Sequence, residues 1–126
     1  MKRGNATLLD DPAYKSKLAE LEIDLLATEF TELRSLASAA SGAEPGPESS
    51  ILKLKGTEIQ QRIQKLTVEA GGIYSAAWGK KPVGHSFAKG GMSGYLASRA
   101  YTIYGGASEV QKDVVAKNVL GLKKAK

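Results

Sequence analysis

The chain has 126 residues, 42% of them hydrophobic and 25% charged, with a formal net charge of +5. That suits one globular domain with a modest core. It excludes a bilayer-crossing apolar run and a charged-then-apolar signal peptide. The lack of cysteine removes a disulfide framework and cysteine-based metal sites, and fits a cytoplasmic setting. The basic surplus is not gathered as a nucleic-acid surface would need. Lys123, Lys124 and Lys126 form a tail behind a helix end, where the dipole favours cations, and Lys80, Lys81 and Lys89 share one glycine-rich loop.

Residues 1–9 show no period and are expected to fray. Asp10, Asp11 and Pro12 mark a helix start, an acidic cap followed by proline in the first turn. The spacing predicts a helix from Pro12 to Ala40. Leu18, Leu21 and Leu25 form one stripe; Leu26, Phe30, Leu33, Ala37 and Ala40 form an adjacent one. So wide an apolar face calls for neighbours on more than one side. Gly42, Pro45, Gly46 and Pro47 punctuate a linker. A second helix, Pro47–Ala70, is expected to bury Ile51, Leu54, Ile59, Ile63, Leu66 and Ala70, with Gly56 kept for close helix packing. Lys53, Gln61, Arg62 and Gln64 read as solvated.

Gly71 and Gly72 end that helix. Residues 78–91 are rich in glycine and lysine and read as a loop, with Trp78 and Phe87 as packing anchors at its ends. His85 has no carboxylate or cysteine at metal spacing, so no metal site is expected. A third helix, Met92–Tyr104, leads into Gly105 and Gly106, which break it. Ser108 and Gln111 stand at capping-box spacing and open a fourth helix to Leu120, with Gly121 placed to stop it. No stretch has strand alternation strong enough to compete with helix. A glycine pair against a helix start can bring a ligand close to backbone N–H groups. On physical grounds a ligand-free helical corner is the preferred reading, since Glu109 in the first turn would oppose an anion there.

The run IYGGASEVQ followed by VLGL resembles the C-terminal signature of the acyl-CoA dehydrogenase family. DDPAYKSKLAELEI, GAEPGPESSILKLKGTE and EAGG resemble successive segments of that family's final helical domain, so the resemblance covers nearly the whole chain. It implies a single domain, residues 1–126, folded as an all-α, antiparallel up-and-down bundle of about four helices. The family's version has one more helix at the front, which implies an apolar groove left open here and a homo- or hetero-oligomer.

The resemblance also implies a flavin adenine dinucleotide (FAD) cofactor. Its contacts would be Gly105, Gly106, Ala107, Ser108 and Glu109. Gly71 and Gly72 would approach the flavin of a neighbouring subunit; a plain helix C-cap accounts for that pair as well. Val68 stands where the family has glutamine, and Ala107 where it has threonine. Many members carry their catalytic base immediately after the tyrosine matched by Tyr104. That position is Gly105, which cannot take a proton. The chain is therefore expected to have no catalytic residue of its own and to be inactive and without flavin when alone. Its expected partner is the remainder of a dehydrogenase or a second dehydrogenase subunit, with no nucleic acid and no membrane. A non-catalytic oligomerisation module that has kept the fold without flavin is the other reading.

Overall fold

The computed structural model describes residues 2–3, 6–44, 46–77 and 83–122. Trp78, Lys80, Lys81, Pro45 and the Lys123–Lys126 tail lie outside the described residues, and so do the expectations placed on them. The architecture is an all-helical, four-helix bundle: α1 (Pro12–Ala40), α2 (Glu48–Gly71), α3 (Gly91–Ala97) and α4 (Ser108–Asn118). A 3-10 segment, Ser98–Thr102, continues α3 without a break.

The lead-in has more structure than its sequence suggested. A two-residue ribbon pairs β1 (Lys2–Arg3) with β2 (Ala6–Thr7), antiparallel. A 3-10 turn follows, in which the Asp10 carboxylate accepts the Thr7 N–H at 2.6 Å and the Thr7 hydroxyl at 2.8 Å, and Leu8 is buried. Asp11 then caps α1, accepting from Ala13 N–H at 2.9 Å and Tyr14 N–H at 3.4 Å, with Pro12 in the first turn as its chemistry demands.

Helices α1 and α2 pack antiparallel. The Tyr14 hydroxyl donates to the Leu66 carbonyl at 3.2 Å, Lys17 pairs with Glu69 at 2.8 Å, and the Arg62 guanidinium donates to Asp24. Between these polar ties sit Leu21, Ile59 and Leu66, with Tyr14 and Leu18 against them. α3, its 3-10 continuation and α4 also pack on α2, which makes α2 the hub of the bundle.

The apolar interior is small. Among the described residues the buried apolar side chains are Leu8, Leu21, Ile59, Leu66 and Ala88, joined by the hydroxyl residues Ser50, Thr57, Ser75 and Ser98. The chain exposes 9076 Å², against roughly 6,500 Å² for a compact monomer of its mass.

α1 carries many of the exposed apolar side chains. Its α2-facing side runs Tyr14, Leu18, Leu21, Asp24, Thr28, Thr31, Ser35, so it turns polar halfway along. The hydroxyls of Thr28, Thr31 and Ser35 satisfy themselves on carbonyls one turn back, at 2.7, 2.8 and 3.1 Å. Of the two stripes expected to be buried, only Leu18 and Leu21 pack inward. Leu25, Leu26, Phe30, Leu33, Ala37 and Ala40 are exposed, because α2 packs along one side of this helix and leaves theirs open.

Gly56 also departs from expectation. A Cβ there would meet open space, so no close packing keeps it. Gly56→Ala is therefore expected to stabilise the chain by about 1 kcal/mol, read from denaturant unfolding. A loss of stability would mean that something covers this face in solution.

The ionisable groups predict the pH response. Burial, then the nearby Glu69 charge, push the Tyr14 phenol above its ordinary 10.0; the Glu69 hydrogen bond holds the Lys17 ammonium above 10.5. Both raised groups stabilise the fold below those values, and that contribution is lost as pH rises through the higher folded ones. Hydrogen bonds from Thr7 hold the Asp10 carboxyl below 3.8, so its contribution is present above that value and lost on acidification. A melting series over pH should show a plateau between, with Tyr14→Phe flattening the alkaline limb.

Candidate functional site

The residues that sequence reasoning singled out fall at two places. The first is the elbow between the 3-10 segment and α4. The helical hydrogen bonds run out at Ile103 and Tyr104, both of whose N–H groups reach the Ala100 carbonyl, at 2.9 and 3.1 Å. Gly105 and Gly106 then take φ of +62° and +99°, which turns the chain as the glycine pair predicted. Gly105 has open space where a side chain would project, whereas a Cβ on Gly106 would overlap the Gln111 amide.

The helix start differs from the expected capping box. Ala107 occupies the cap position and offers no side-chain acceptor. Ser108 lies inside the helix, and its hydroxyl donates backward to the Thr102 carbonyl at 3.3 Å. The Ser108 hydroxyl thus closes the elbow rather than capping α4. Glu109 is exposed in the first turn, where its charge answers the helix dipole. Tyr104 is 65% exposed, with its ring 6.3 Å from that of Tyr101.

Two side chains read as solvated in fact hold this region. Lys53 donates to the Tyr101 carbonyl at 3.2 Å, and Gln61 donates to the Ser98 carbonyl at 3.0 Å. Gln64 lies over Gly94, whose missing side chain lets α3 come close. Lys53, Thr57, Gln61 and Gln64 share one face of α2 at helical spacing, but a polar stripe looks the same whether it meets water or backbone.

The second place is the end of α2. Gly72 takes φ of +56° and its N–H returns to the Glu69 and Val68 carbonyls, the C-cap that its sequence allowed. Gly71 is buried beneath Ser75 and Ala88, and a Cβ there would collide with the Ser75 hydroxyl. Packing within the chain is thus reason enough for glycine at Gly71. Gly91 closes over the same serine from α3. The Ser75 hydroxyl is fully buried and has no hydrogen-bond partner among the described residues. Phe87, expected as an anchor, is half exposed and stacks on His85 at 5.7 Å; Ala88 beside it is the buried residue.

The two places do not meet. The elbow is tied to α2 near Lys53, eighteen residues before Gly71, and that length of helix spans about 27 Å. Among the described residues a cleft lies elsewhere, between the second half of α1 and the start of α2. It has a volume of about 560 Å³ and runs into a smaller one of about 190 Å³ across Thr31, Ile51 and Leu52. Among the described residues no cluster of His, Asp and Glu could hold a metal, and no helix is long and apolar enough to cross a membrane.

Residues 1–120 match the family described as "Acyl-CoA dehydrogenase, C-terminal domain". The chain belongs to the acyl-CoA dehydrogenase family. It is 28% identical over 117 residues to acyl-CoA dehydrogenase IpdE1 of Mycolicibacterium smegmatis, covering 90% of this chain and 26% of that protein. Its structure is similar to one in the ChsE4–ChsE5 complex from Mycobacterium tuberculosis, with a TM-score of 0.78 and 26% identity, over 98% of this chain and 32% of the other. The chain thus spans between a quarter and a third of the length of these acyl-CoA dehydrogenase relatives.

Against that family, the residues present do not fit a flavin within one chain. The elbow lies apart from both clefts, its one hydroxyl is spent on Thr102, and its acidic first turn opposes a pyrophosphate. The other glycine pair is at the far end of α2.

The packing around Ser75 makes a paired prediction. Gly71→Ala should cost about 1–3 kcal/mol by overpacking. Ser75→Ala removes an orphaned hydroxyl and should be neutral or stabilise by up to about 1 kcal/mol. Denaturant titration of both variants checks this; the opposite ordering would refute the packing account.

Proposed function

We propose that this chain is a non-catalytic assembly module of the acyl-CoA dehydrogenase family: a single domain that has kept the C-terminal helical fold and serves to bring subunits together. The observation that carries this reading is the imbalance between a five-residue apolar interior and the long exposed apolar side of α1. A helix with Ile23, Leu26, Phe30 and Leu33 in water is a surface meant to be covered. The partner is a second copy or a related dehydrogenase subunit; the similarity to a chain of the ChsE4–ChsE5 complex supports association of this kind. A cytoplasmic setting fits the cysteine-free composition.

Catalysis is not assigned to the chain. Gly105 stands where many relatives carry the base, and no carboxylate replaces it there. The family implies association with FAD-dependent enzymes, whose flavin would supply hydride acceptance. What this chain could add is exposed backbone at Gly105–Gly106 on one subunit and at Gly72 on another, since about 27 Å of helix separates the two along one chain.

Sedimentation of the purified chain should show a dimer or larger species. Spectra should show no flavin, and acyl-CoA with a redox dye should give no turnover. A monomer at about 100 µM, a concentration far above that of a specific complex, would sink the assembly reading. Turnover by the chain alone would sink the non-catalytic one.

A further inference from the structure

The cleft between α1 and α2 is open because the two helices have little to pack with there. The α2-facing side of α1 shrinks to Ser35 and Ala39 in its last turns, and Ile51 and Leu52 of α2 stand across from them only half-buried. The space left is about 560 Å³, the size of the clefts in which helical bundles bind their ligands. Its charge is lopsided. Glu32, Glu44 and Glu48 line it, all exposed, against the single guanidinium of Arg34. Among the described residues none of these three carboxylates is held in an ion pair. An apolar floor with acidic surroundings fits a segment that is first apolar and then basic.

The chain carries such a segment after α4. The helix ends in a tight closure: Gly121 takes φ of +65°, and the Leu122 N–H returns to the Ala116 carbonyl at 2.9 Å. Around that closure Val119, Leu120 and Leu122 are 47%, 64% and 58% exposed, and none of them lines the cleft of its own chain. Lys123, Lys124 and Lys126 follow in the sequence.

We infer that the cleft takes the segment 119–126 of a second copy, its leucines on Ile51 and Leu52 and its lysines at the three carboxylates. The inference rests on the assembly reading above and gives that assembly a contact between two unlike surfaces. A second copy is the occupant because Leu120 and Leu122 are pinned outside their own cleft. Seating them there would mean breaking the closure at Gly121, whereas a neighbouring chain offers them already exposed. Exchange between two copies makes the contact twice by symmetry. The opposite charges also steer the encounter, so association should weaken as salt is added.

Leu120→Glu with Leu122→Glu should reduce the sedimenting mass to that of a monomer. Both positions are exposed within one chain, so the helical circular dichroism should persist. Glu32→Lys with Glu44→Lys should raise the dissociation constant about tenfold, and adding Lys123→Glu with Lys124→Glu should restore it, the signature of paired charge rather than lost packing. Cysteines identify the donor chain, because the full chain has none. Ser38→Cys and Lys124→Cys, on separate chains, should form disulfides on mixing in preference to either variant alone. Placed together on one chain, they should link that chain to another. Disulfides confined within single chains would overturn the second copy as occupant. A native chain that assembles, with no mixed disulfide and with its mass unmoved by Leu120→Glu with Leu122→Glu, would overturn this contact while leaving the assembly reading in place. A native chain that stays monomeric would remove both.

Discussion

Everything in the bundle hangs on one contact: Leu21 of α1 seated against Ile59 and Leu66 of α2. It is the apolar nucleus of the molecule, and α2 is the surface on which each other helix rests. A domain of this length with so few buried apolar side chains gains little from burial to set against the entropy of ordering the chain. The structure responds with polar ties that reach across elements, from Tyr14 to Leu66, Gln61 to Ser98 and Lys53 to Tyr101. Each such bond contributes on the order of 1 kcal/mol and fixes orientation more than it adds stability.

The same ties decide where the functional segments fall. Lys53 and Gln61 hold the 3-10 continuation of α3 along α2, and that fixes the glycine elbow beside the first half of α2. Gly71 and Gly72 lie at the other end because α2 is a straight run of helix with no break between. A single chain cannot fold the two glycine pairs onto one ligand. In the proposed assembly, two subunits present together the two glycine pairs that one chain keeps apart.

The parts of this fold legible in the sequence were those set by local chemistry. Asp11 with Pro12 located the start of α1, proline and glycine located the linker, and Gly105 with Gly106 located the elbow, because backbone rules act on the residues themselves. The parts that were not legible depended on what stands opposite. Leu25 to Leu33 carried a helical period, and a period does not say whether an apolar face meets the same chain or another. Lys53 and Gln61 looked like a solvated face because carbonyls and water accept the same hydrogen bonds. Ser108 satisfied the capping pattern, but the chain reversal at Gly106 placed the Thr102 carbonyl within its reach first. Gly71 fitted a cofactor motif and a helix cap alike; its burial under Ser75 adds a third reason that no spacing could show.

The hydroxyls of Thr28, Thr31 and Ser35 have a consequence for how α1 behaves as a mechanical part. Each bonds to its own helix, so the second half of α1 could lift from α2 without stranding a single donor. The open cleft beside Ile51 and Leu52 gives it room to do so. In the proposed assembly the arm's angle is set by the partner on its apolar side, while its root at Leu21 stays anchored.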